Sequence, residues 1–123
     1  MNAYYHTITA QIKKAVQQAD PTATAILFGS RATGKAKKDS DWDVLILLNK
    51  SSVSLKDEQL FRSNLYDVEL EIGEHISTLF YGAEDWNTRL SVTPLYKFIQ
   101  QDKMVLWYSN YRYFNALLRV VLD

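Results

Sequence analysis

The chain has 123 residues, 47% of them apolar, so one domain with a true core is expected and a disordered linker is excluded. Fourteen Lys and Arg balance fourteen Asp and Glu, which leaves no overall field to draw in a nucleic acid or an anionic membrane. Cysteine is absent, so disulfides, thiolate nucleophiles and zinc–thiolate sites fall away together.

Ile8, Ile12, Ala15, Val16 and Ala19 recur at helical spacing and stop at Asp20-Pro21, which predicts an opening helix. Thr22 to Phe28, β-branched and apolar, reads as a buried strand ending at Gly29. A polar stretch runs to Ser40, and Asp41 to Leu48 reads as a second strand. Ser54 is placed to cap a helix in which Phe61, Leu65, Val68 and Ile72 keep the 3.6-residue period. A third strand is expected from Glu74 or His75 to Tyr81, a short helix near Glu84, and another beginning at Pro94. Met104 to Tyr108 fits strand or helix, and Tyr111 to Val121 suggests a closing helix. The expected fold class is α+β, a small mixed sheet covered on one face by helices. The organisation is a single domain over 1–123, with a motif core at 26–48 and a C-terminal helical segment at 94–123. The longest apolar run, Val44-Leu45-Ile46-Leu47-Leu48, is far below the about 20 residues of a membrane helix. No basic segment with an apolar stretch opens the chain, so a cytoplasmic protein is expected.

The chemistry is concentrated between Phe28 and Asp43. Strand residues two apart share a face, so Asp41 and Asp43 should project side by side, their Cα atoms about 7 Å apart. Paired carboxylates repel unless a cation neutralises them, and Mg²⁺ suits one or two carboxylates completed by substrate phosphates. Gly29 allows a sharp turn after the strand. Ser30 adds a hydroxyl and a backbone N–H that can face an anion. Arg31, Lys35, Lys37 and Lys38 make this the most basic stretch, and Asp39, Asp41 and Asp43 the acidic one that follows. A metal-bound nucleoside triphosphate presents the complementary anionic and cationic faces. Gly29 to Lys35 also approaches a P-loop, but Ala36 stands where the magnesium-binding hydroxyl belongs, and no long helix can follow before the acidic strand. Taken singly, a Gly-Ser turn, an Asp-x-Asp strand end and a lysine loop are ordinary surface features. Together in one strand–loop–strand unit they point to phosphate chemistry.

Gly29-Ser30, ten residues, then Asp41-Trp42-Asp43 and the strand Val44-Leu45-Ile46-Leu47 resemble the signature of the polymerase-β-like nucleotidyltransferase superfamily. The form Gly-Ser-Arg-Ala-Thr-Gly with Ser40-Asp41 looks like the minimal nucleotidyltransferases, often paired with a helical HEPN partner. The resemblance implies that Asp41 and Asp43 hold two Mg²⁺ ions, that Gly29 and Ser30 bind the β- and γ-phosphates of ATP, and that Arg31 assists there. It implies transfer of AMP to a hydroxyl acceptor on a HEPN-type toxin, in a toxin–antitoxin system. The family also places a third carboxylate on a neighbouring strand, where it orients or deprotonates the acceptor. The segment Ile76 to Tyr81 contains no acid, and Glu74 is the carboxylate nearest that strand's start. A solvated loop glutamate is the competing reading of Glu74, and His75 or Ser77 at that position would leave the base missing. A degenerate nucleotide-binding antitoxin acting by contact alone is therefore the alternative, with an aminoglycoside-type nucleotidyltransferase third.

His6 and His75 have no ligand spacing to a third residue and do not suggest zinc. Trp86, Trp107, Tyr108, Tyr111 and Phe114 are expected in core or interface duty on helices rather than in base stacking, and Tyr111, Tyr113 and Phe114 as a protein contact. Trp42, between the aspartates, should face the other way and pack on a helix. No membrane and no DNA partner are expected.

Overall fold

The computed structural model describes residues 3–108. Helix α1 spans Ala3–Ala19, strand β1 Thr24–Phe28, the one-turn helix α2 Ser30–Thr33, β2 Trp42–Leu48 and α3 Leu55–Ile72. Then come β3 Ile76–Gly82, α4 Ala83–Asn87, a 3-10 turn at Arg89–Val92, α5 Pro94–Asp102 and β4 Met104–Trp107. The segment expected to close the chain as a helix, with Tyr111, Tyr113 and Phe114, lies outside the described residues.

Local chemistry sets the boundaries. Ser54 accepts from the Asp57 N–H at 3.0 Å while the Asp57 carboxylate accepts from the Ser54 N–H at 3.0 Å, a reciprocal cap that starts α3 where the sequence places it. Gly73, at φ 70°, ends the same helix in the left-handed region. Thr93 accepts from the Tyr96 N–H and Pro94 fills the first turn of α5.

The four strands lie in the order β3-β2-β1-β4. β1 runs antiparallel to both β2 and β4, whereas β2 and β3 are parallel. Met104–Trp107, open between two readings in the sequence, pairs with β1 as an edge strand, so Trp107 sits on a strand and not on a helix.

Helices cover the sheet on both faces, a departure from the one-sided cover expected. Ala25, Leu27, Trp42, Val44, Ile46 and Leu48 pack with Ile8, Ile12 and Val16 of α1 and Phe61, Leu65 and Val68 of α3. The alternate residues Ile26, Phe28, Leu45 and Leu47 pack with Ala83 and Trp86 of α4 and Ile99 of α5. Central strands buried on both sides need apolar residues at every position, which explains the unbroken run Val44–Leu48. The second cover escapes a periodicity search because α4 and the 3-10 turn are too short to show a helical stripe. Among the described residues no helix is long and apolar enough to cross a membrane.

Candidate active site

The antiparallel register sets Phe28 opposite Asp43, so the turn leaving β1 begins beside the Asp43 side chain. Gly29 takes φ 75° and ψ −159°, a region open essentially to glycine alone. A Cβ at this position would stand 2.5 Å from the Asp43 Oδ2. Glycine is thus required twice, once by the backbone and once by the carboxylate against it. The N–H groups of Ala32 and Thr33 donate back to the Gly29 carbonyl at 3.0 and 3.3 Å, leaving those of Ser30 and Arg31 as the ones the turn does not use. Gly34 closes the turn at φ 77°, its N–H donating to the Ser30 carbonyl. The chain then continues as a loop into β2, which removes the P-loop reading.

Asp43 is half-buried and Asp41, one residue ahead of β2, is exposed. Burial pushes the Asp43 carboxyl above the ordinary carboxylate range, the Asp41 charge pushes it further, and His75 pulls it partly back. Alternation puts Asp43 on the face of Leu45 and Leu47, the side covered by α4 and α5. Trp42 faces the other way as expected, 1% exposed, its ring 5.7 Å from that of Tyr5 on α1.

Among the described residues no group of three or more His, Asp or Glu side chains gathers as a metal cage. The donor set at this place is a carboxylate pair. Two like charges, one half-buried, are what a divalent cation relieves, and magnesium accepts one or two carboxylates if phosphates and water complete its shell. The residues present fit it.

Arg31 and Glu74 come together with each other. The Arg31 guanidinium donates to Glu74 Oε1 at 2.8 Å and to the Ser40 carbonyl at 3.0 Å, and lies over the Trp42 ring, 4.7 Å from its centroid. The Trp42 indole N–H donates to the same Glu74 oxygen at 3.3 Å. Both charged side chains are largely buried, at 13% and 16% exposure, and burial raises the Glu74 carboxyl. Arg31 is thus paired with Glu74 and the loop backbone, and Glu74 is engaged at the edge of Trp42.

On β3 the residue paired with Asp43 is Ser77, and Ile76–Gly82 holds no carboxylate. His75, whose carbonyl accepts the Trp42 N–H at 2.9 Å, has its ring nitrogen Nδ1 2.7 Å from Glu69 Oε2. No local pattern announces this pair, which forms across the end of α3, where Gly73 turns the chain back.

No curated protein sequence matches the chain. Among the solved structures that share its fold are two toxin–antitoxin complexes. One, a toxin–antitoxin with AMP-PNP, is 15% identical with TM-score 0.63, covering 93% of this chain and 83% of that one. The other, a mutant of the MntA-HpeT toxin–antitoxin, is 16% identical with TM-score 0.59, covering 92% of this chain and 81% of its own. The sequence profile of the nucleotidyltransferase domain matches residues 9–104, a span that runs from α1 through the Gly29–Asp43 contact to the start of β4. By that match the resemblance seen in Gly29-Ser30 and Asp41-Trp42-Asp43 holds, and the chain belongs to the nucleotidyltransferase domain family, with its polymerase-β-like fold.

Proposed function

We propose that this nucleotidyltransferase moves AMP from ATP to a hydroxyl group on a partner protein, a toxin of the HEPN type. The observation that carries the reading is the close approach of the Gly29 backbone to the Asp43 carboxylate, whose Oδ2 a Cβ on Gly29 would meet at 2.5 Å. Toxin–antitoxin complexes among the structural neighbours, one of them with AMP-PNP, support the partner and the donor.

In this reading Gly29 and Ser30 receive the β- and γ-phosphates, and Asp41 and Asp43 hold magnesium. When bound, that metal screens the triphosphate and stabilises charge on the departing oxygen. The acceptor oxygen bonds to the α-phosphorus, the bond from that phosphorus to the bridging oxygen breaks, and pyrophosphate leaves with the electron pair. Arg31 anchors the loop carbonyl just ahead of Asp41, and Glu74 holds Arg31, so this pair positions the carboxylates. With Ser77 opposite Asp43, the hydroxyl proton passes to water and not to a protein base, which makes the transfer slow.

The test is intact-mass analysis of the full chain with its partner and Mg-ATP. A mass gain of one AMP on the partner, lost with Asp41→Asn or Asp43→Asn, is the expected result. The lack of an acid on β3 favours one second reading, an antitoxin that works by contact alone. In that case the partner is inhibited without an adduct, and inhibition survives loss of both aspartates.

A further inference from the structure

Strand β3 is one edge of the sheet: β2 pairs with it on one side, and among the described residues no strand pairs with the other. Proteins commonly guard such an edge with a charge, a proline or a bulge, because its open N–H and C=O groups invite another strand. Ile76–Gly82 carries none of these guards. It is uncharged, contains no proline and keeps an unbroken register against β2.

Beside this edge, between β3 and α3, lies a cavity of about 430 Å³ with an apolar lining from Leu65, Tyr66 and Ile76. Tyr66 is 57% exposed and Leu70, one turn further along α3, is 67% exposed. Two charges mark the cavity's ends. Arg62 lies over the Phe80 ring, 5.0 Å from its centroid, and Glu69 accepts from the Ile76 N–H at 2.9 Å. The cation therefore stands level with Phe80 and the anion level with Ile76. The two elements agree in scale, since seven helical steps rise about 10 Å and four strand steps about 13 Å. Thr78 is the midpoint on the strand, and Tyr66 lies near the midpoint on the helix.

Such a surface is complementary to itself. A two-fold axis through Thr78, perpendicular to the sheet, pairs β3 antiparallel with β3 of a second copy. Thr78 then faces Thr78, a favourable cross-strand pair, and Ile76 faces Phe80. Arg62 of each copy comes level with Glu69 of the other, and the two Tyr66 rings meet near the axis. The charges are available for this. Glu69 takes both of its contacts, from His75 and from Ile76, on Oε2, and Arg62 spends one of its five N–H groups on Glu58. An unrelated peptide could also use the open edge, but it would give no reason for opposite charges at equal distances from one point.

We propose that β3 and the adjoining face of α3 form the interface of a homodimer whose two sheets join into one of eight strands. Ile76 and Phe80 lie on the α1–α3 face and Asp43 on the other, so the side-chain contacts form on the face of the sheet opposite the Asp43 carboxylate. The inference is independent of the transferase reading, because its test measures mass alone.

The experiment is analytical ultracentrifugation of the full chain, with circular dichroism to confirm that each variant is folded. The parent should sediment at twice its chain mass of 14.2 kDa. Tyr66→Glu and Tyr66→Lys each set like charges together at the axis, and Thr78→Lys does so on the strand, so each alone should be a monomer. An equimolar mixture of Tyr66→Glu and Tyr66→Lys should recover the dimer, because only at a two-fold axis does a residue meet its own copy. A parent still monomeric at about 100 μM, where even weak dimers form, overturns the proposal. A dimeric Tyr66→Glu or Thr78→Lys overturns it as well, and so does a mixture that stays monomeric.

Discussion

Replacing Gly29 by alanine separates backbone strain from the chemistry of the site. At φ 75° and ψ −159° an L-residue is held in a region it rarely enters, a cost of about 1–3 kcal/mol. For a chain of this size that corresponds to a fall in Tm of about 4–12 °C. The added Cβ also meets Asp43 Oδ2 at 2.5 Å, whereas ordinary contact begins near 3.4 Å. The carboxylate end must therefore retreat by about 1 Å, and a displacement of that size at a reacting centre costs about 100-fold in rate.

Gly34 is the matched control. Its φ of 77° is nearly the same, but a Cβ there meets nothing within 4 Å. Gly34→Ala should lower stability by about 1–2 kcal/mol, the left-handed cost alone, and leave transfer near the parent rate. Thermal melts and the rate of adenylate transfer, measured on both variants below their melting range, decide the matter. If the two variants lose transfer equally, or Gly29→Ala keeps it, the Gly29–Asp43 contact has no part in the reaction.

The other expectations concern the cap, the brace and the missing acid. Ser54→Ala should cost about 1 kcal/mol in chemical denaturation, the worth of a helix cap. The Asp57 carboxyl in that cap is held down to about 2 by the Lys50 ammonium and the Ser54 N–H. A depressed folded value adds stability above the ordinary carboxylate range and loses it as pH falls, so Asp57→Asn should be less stable than the parent at pH 7, and the gap should close between about pH 4 and 2. Arg31→Lys should slow transfer, because an ammonium cannot reach Glu74 and the Ser40 carbonyl together with a planar fork. Glu74→Gln should cost about 1–3 kcal/mol in stability and reduce transfer far less than Asp43→Asn does. A Glu74→Gln protein as stable as the parent and as inactive as Asp43→Asn would make Glu74 the acid that completes the site. Ser77→Asp, which sets a carboxylate opposite Asp43, should speed transfer by up to about 100-fold in single-turnover assays, and an unchanged rate would show that the acceptor lies elsewhere.

What the sequence disclosed and what it hid follow from the range of the interactions. Ser54 and Pro94 act within one turn of where they stand, so the starts of their helices could be read directly. Gly29 and Asp43 could be read as a pair because the motif joins two adjacent strands. Arg31 and Glu74 stand 43 positions apart, and no local pattern announces that the most site-like arginine is taken by the most site-like glutamate. Met104–Trp107 stayed open because a short edge strand, partly buried throughout, shows no alternation.

The two faces of the sheet divide the labour, and burial of one residue enforces the division. Trp42 and Asp43 are neighbours and must face opposite ways. A slip of one residue in β2 would drive the carboxylate into the layer formed by α1 and α3 and leave the indole in water. Fully burying a large aromatic side chain stabilises by about 3 kcal/mol, and an unpaired charge in that layer would cost several more. The stacking of Arg31 on the same ring then fixes the loop that leads into Asp41. The tryptophan between the aspartates is accordingly what aims them: its hydrophobic anchoring on the α1 side holds the Asp43 carboxylate on the side where Gly29 leaves room for it.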